Sequence, residues 1–124
     1  MTTAVTHSDK SLIQGRLDAR KGRLLVEIEN DVTSTQVPDL RRGLLEILTA
    51  HGDAPWKALY LDMRAARMID SMGVNWLFAE SVRLKELKKA LVVRISSPAI
   101  NRVMQFAGLD RLVTLKYRHR KQTR

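Results

Sequence analysis

The tetrapeptide Asp70-Ser71-Met72-Gly73 sets a carboxylate and a hydroxyl side by side where an apolar run gives way to a helical pattern. A serine there can accept a phosphate. The preceding Ala58-Leu59-Tyr60-Leu61-Asp62-Met63 reads as a strand, and Val74, Leu77, Phe78, Val82 and Leu84 recur at spacings that put them on one helical arc. Ser71 therefore falls in the first turn of that helix. First-turn N–H groups lack intrahelical partners and carry the positive end of the helix dipole, which favours an anion by about 0.3 to 1 kcal/mol when exposed and by ~2 kcal/mol when partly buried. That magnitude tolerates a phosphate without identifying one, because Asp-Ser before a helix is equally an ordinary capping pair.

The neighbours of Ser71 divide in the same way. Trp76 sits roughly opposite the apolar arc, so it either anchors a partner or packs beneath a neighbouring loop. Arg64 and Arg67, in the loop before the motif, can pair with a phosphate or simply be solvated. Asp31 reads as a turn residue on local grounds. Other chemistries find little footing. His7, His51 and His119 lack carboxylate or cysteine companions at ligand spacing, and no metal or other cofactor is expected. The six glycines form neither a phosphate-binding loop nor a dinucleotide fingerprint. No serine, histidine and carboxylate set suggests an independent enzyme.

These residues are positioned by alternating strands and helices. Leu12 to Leu17 and Leu24 to Glu29 read as a hairpin turned at Lys21-Gly22. Val37, Leu40, Leu44, Ile47 and Leu48 share a helical face, with Pro38 near its start and Gly52 after its end. The strand at 58–63 and the helix from 71 to about 88 follow. Leu91-Val92-Val93-Arg94-Ile95 is a further strand, Ser97-Pro98 opens a helix carrying Ile100, Val103, Met104 and Ala107, and Gly108 closes it. Leu112 to Leu115 is the last strand. The pattern implies an α/β fold of order β-β-α-β-α-β-α-β, a small mixed and mostly parallel sheet flanked by three to four helices.

Composition supports one domain. A chain of 124 residues with 44% apolar content supplies one ordinary core. The expected boundaries are a flexible N-terminus at 1–10, a domain at 11–116 and a basic tail at 117–124. Without cysteine, disulfides and thiol nucleophiles are excluded. The opening residues show no apolar targeting core and no stretch suits membrane insertion, so a cytoplasmic protein is expected. The formal charge of +9 crowds toward Lys116, Arg118, Arg120, Lys121 and Arg124, which makes nucleic acid a rival partner.

Taken in order, the segments Ile69-Asp70-Ser71-Met72-Gly73-Val74, Leu91 to Ile95, Ser97-Pro98-Ala99-Ile100-Asn101-Arg102-Val103 and Ala107-Gly108-Leu109 resemble the STAS domains, the anti-sigma factor antagonists and their relatives. The resemblance implies a non-enzymatic protein whose Ser71 is phosphorylated by a partner that is both an ATP-dependent serine kinase and an anti-sigma factor. It implies that Asp70 presents the hydroxyl and that Asp31 lies on the same partner-facing surface; Met72, Gly73 and Trp76, beside Ser71 in the sequence, are expected to be partner contacts too. The chain departs from the family pattern at Met72, Asn75, Trp76 and Lys88-Lys89-Ala90. A STAS subunit of a larger regulatory or transport assembly, without phosphorylation, is the second reading; a homo-oligomer is left open.

Overall fold

A computed structural model describes residues 5–7 and 13–118. The strands are β1 (Val5–His7), β2 (Ile13–Asp18), β3 (Arg23–Ile28), β4 (Ala58–Asp62), β5 (Ala90–Ile95) and β6 (Thr114–Tyr117). The helices are α1 (Val37–Ala50), α2 (Ser71–Glu86) and α3 (Pro98–Phe106), and a short 3-10 turn spans Leu109–Arg111. From β2 onward the order is the one the sequence implies. The six strands form one sheet in chain order, with β1 and β3 antiparallel to β2, and with β3, β4, β5 and β6 mutually parallel.

Two boundaries shift. Residues 5–7, expected within a flexible N-terminus, form β1 and pair with 14–16 of β2. At the other end β6 runs through Tyr117, and the Arg118 N–H donates to the Ile95 carbonyl, so the sheet takes in the first residues assigned to the tail. The rest of the expected N-terminal segment, at 1–4 and 8–10, and of the tail, at 119–124, lies outside the described residues.

Alternation decides which face of the sheet is covered. Leu24, Val26 and Ile28 of β3, Leu59 and Leu61 of β4, and Leu91, Val93 and Ile95 of β5 join Leu40, Leu44 and Ile47 of α1, Leu77 and Leu84 of α2, and Ile100 and Met104 of α3 in one buried cluster. All three helices therefore pack on one face. The opposite face carries Gln14, Arg16, Arg23, Glu27, Tyr60, Asp62 and Arg94, and the guanidinium carbons of Arg23 and Arg94 each lie 5.1 Å from the centroid of the Tyr60 ring. A polar, charge-paired face can remain open to water.

The best bracketed helix of the sequence forms as expected. Ser97 caps α3 by accepting from the Ile100 N–H at 3.2 Å, Pro98 opens it, and Gly108 adopts φ +79° to end it. Among the described residues no helix is long and apolar enough to cross a membrane.

Candidate functional site

Ser71 is the first residue of α2, exposed, and Asp70 is the N-cap before it. Asp70 does more than cap. One carboxylate oxygen accepts from the Gly73 N–H at 3.0 Å and the other accepts from the Ser34 N–H at 2.7 Å, across to the loop between β3 and α1. Asp31 answers from that loop by accepting from the Arg67 and Met68 N–H groups at 2.8 and 3.3 Å. Between these two carboxylates Val32 and Ile69 form a parallel bridge, with the Val32 N–H donating to the Met68 carbonyl and the Asp70 N–H to that of Val32. The two loops are stitched into one surface. On its other side the 63–70 segment is held by the hydroxyls of Ser96 and Ser97, which donate to the carbonyls of Arg64 and Arg67. The hydroxyl of Ser71 thus stands on backbone anchored from both flanks, and the bonds of Asp31 and Asp70 join the two loops beside it.

Hydrogen bonds from the Ser34 and then the Gly73 backbone hold the Asp70 carboxyl below its ordinary value of 3.8. A depressed folded-state pKa stabilises the fold above the unfolded value, and that contribution disappears as pH falls through the lower folded value. Asp70→Asn retains a capping oxygen but removes the titration. Its melting temperature is expected to lie below that of the natural protein at neutral pH, with the gap closing under acid as Asp70 protonates below pH 3.8. Thermal melts of both proteins across that range provide the check.

Two residues assigned to partner contact are buried instead. Gly73 faces the core because α2 is pressed against the β3–α1 loop: a Cβ built there would lie 2.2 Å from the Val32 carbonyl oxygen and 2.7 Å from Ile69 Cγ1. The glycine serves close approach. Gly73→Ala is expected to destabilise by about 1–3 kcal/mol, since a backbone oxygen cannot rotate aside; denaturant titration measures it. Trp76 is the second, 1% exposed and part of the core cluster.

The reason is the rotational register of α2. Its buried residues are Gly73, Trp76, Leu77, Glu80, Ser81 and Leu84, an unbroken helical stripe that contains a glycine, a serine and a glutamate. Glu80 is accommodated there by Arg83, whose guanidinium donates to both carboxylate oxygens at 2.6 and 2.7 Å. Phe78 and Val82, expected on the buried arc, are instead 49% and 44% exposed. With Ser71 and Asn75 they occupy positions spaced four, three and four residues apart, on one outward face, and Met72 and Met68 are exposed near its N-terminal end. Sequence reading misses Phe78 and Val82 as surface residues because apolar type by itself does not mean burial.

Arg64 is also placed differently. It donates from Nε and Nη2 to the two oxygens of Asp62 at 2.9 and 2.8 Å, which commits it to β4 rather than to a phosphate. Arg67 is exposed and enters no ion pair among the described residues, so it remains the cation four residues before Ser71. Among the described residues no group of three or more His, Cys, Asp or Glu side chains could hold a metal ion.

A family model described as the STAS domain matches residues 15–122. Among solved structures, the chain is similar to an anti-sigma factor antagonist from Mycobacterium paratuberculosis, with TM-score 0.66 and 22% identity over 93% of this chain and 84% of that one. It is similar to the unphosphorylated form of the anti-sigma factor antagonist SpoIIAA, with TM-score 0.65 and 17% identity over 86% and 87% of the two chains. A sulfate transporter family protein from Wolinella succinogenes matches with TM-score 0.62 and 21% identity over 79% and 78%. No match is found among the curated proteins.

Proposed function

Because the chain belongs to the STAS-domain family, as the match over residues 15–122 shows, we propose that it is a protein-binding regulator switched at Ser71. In this reading it binds a partner kinase and anti-sigma factor while Ser71 is unmodified and releases it once Ser71 is phosphorylated. The observation that carries the proposal is the exposed hydroxyl of Ser71 at the head of an outward face bearing Asn75, Phe78 and Val82, on loops pinned by Asp31 and Asp70. Rigid presentation suits a substrate serine, and the apolar side chains beside it suit a partner surface that excludes water. Phosphorylation adds about −1.5 to −2 charges at the head of that surface. Arg67, exposed and in no ion pair among the described residues, supplies a cation for it from the preceding loop.

Native co-purification followed by mass spectrometry of the Ser71 peptide tests the proposal. It requires an ATP-binding partner that modifies Ser71 and loses affinity as it does so. A partner that binds the modified and unmodified protein equally would overturn the switch. The similarity to a sulfate transporter family protein favours a second reading, a STAS subunit of a larger assembly working without phosphorylation. The same experiment separates them, because that subunit would co-purify with its assembly while Ser71 stays unmodified. The basic tail proposed for nucleic acid lies mostly outside the described residues.

A further inference from the structure

The end of the domain remote from Ser71 presents side chains that neither the core nor the switch surface uses. Since β3 to β6 run parallel, the turn at 18–23, the loop at 51–57, the end of α2 with 85–90 and the segment 106–113 all gather at the N-terminal edge of those strands. Three large apolar residues on these segments are exposed: Phe106 at 97%, Leu87 at 59% and Leu112 at 48%. Around them the same segments carry eight lysines and arginines against four carboxylates. One of those carboxylates, Asp18, is already paired with Arg23, and Lys89 lies over the Trp56 ring. Arg20, Lys21, Lys57, Lys85, Lys88 and Arg111 stay exposed.

Lys88 adds an independent signal. Its φ of +61° is the left-handed conformation that ends helices and that glycine adopts without steric cost. A lysine held there points to a role for the side chain beyond local structure.

We propose that this end docks peripherally on an anionic lipid surface. Phe106, Leu87 and Leu112 enter the boundary between headgroups and acyl chains while the surrounding cations meet the anionic headgroups. The occupant follows from the combination. A nucleic-acid backbone would satisfy the cations but leave three apolar side chains wet, and a second copy of the chain would bring two positive ends together. A surface that is anionic outside and apolar beneath satisfies both sets of groups. The proposal is independent of the Ser71 switch, because Ser71 opens α2 and Leu87 follows its other end, so the hydroxyl stays accessible on a docked domain.

Co-sedimentation of the full chain with mixed phosphatidylglycerol and phosphatidylcholine vesicles tests it, with pure phosphatidylcholine as the comparison. Binding is expected only to the anionic vesicles and should weaken as salt rises. Phe106→Ser should weaken it about tenfold, with no loss of thermal stability because the ring is almost wholly exposed. Lys88→Gly should weaken it about fivefold while raising the melting temperature, opposite movements that a purely structural role would not produce. No binding to anionic vesicles at low salt would overturn the proposal. So would vesicle binding insensitive to Phe106→Ser, or lost only when Arg120 and Lys121 are both changed to serine. Duplex DNA binding without vesicle binding would overturn it as well, and assign this end to nucleic acid.

Discussion

Ser71→Asp is expected to weaken binding of the partner by more than a hundredfold, whereas Ser71→Ala binds close to the natural protein. The asymmetry follows from where the charge goes. An aspartate, like a phosphate, must be desolvated or paired when a partner covers the head of α2, and an unpaired charge buried in an interface costs ~2 to 5 kcal/mol. Stabilisation at the helix N-terminus offsets about 1 kcal/mol of this at most, since Ser71 is exposed. A charge at the head of the covered face places the penalty in the upper half of that range, and the balance of roughly 3 kcal/mol then exceeds two factors of ten in affinity. Losing the hydroxyl has no such consequence. Both variants should melt within a few degrees of the natural protein, because the cap belongs to Asp70 and the packing to Gly73 and Trp76. Titration calorimetry with the co-purified partner decides it, and equal affinities for the two variants would remove Ser71 from the mechanism.

How far this surface could be read in advance depended on the kind of signal each residue carries. The strands and helices were legible because their apolar periodicity and their punctuation agree: Pro38 early in α1, and Ser97, Pro98 and Gly108 around α3. Asp70 as a helix cap was legible too. Its second bond, to Ser34, was not, because a contact between residues 36 apart depends on how two loops meet rather than on local pattern. β1 was missed since three residues joined to an edge carry almost no periodicity. The register of α2 failed for a physical reason. Apolar residues lie on both of its sides, and the buried stripe holds Gly73, Glu80 and Ser81, so the hydrophobic pattern points to no single face. What sets the face is tertiary: the close approach of Gly73 to Val32, and the Arg83 partner that permits Glu80 to be buried.

That register makes opposite demands on two aromatic residues separated by a single position. Trp76→Ala removes a large side chain that is 1% exposed, and truncating a buried tryptophan typically costs about 3–5 kcal/mol in lost transfer energy and cavity formation. On a domain of this size that is a large share of a total stability of about 5–15 kcal/mol. Trp76→Phe should cost much less, because the indole N–H is buried without a hydrogen-bond partner among the described residues and phenylalanine removes that unsatisfied donor along with part of the volume. Phe78→Ala reverses the pattern. With half its surface already in water, Phe78 contributes little to the fold, so its truncation should leave the denaturation midpoint nearly unchanged and weaken the partner by about tenfold or more. Urea titrations and partner affinities measured on the three variants separate the roles. If Trp76→Ala lost affinity at unchanged stability while Phe78→Ala unfolded the chain, α2 would be rotated from the register described and the outward face would belong to Trp76 after all.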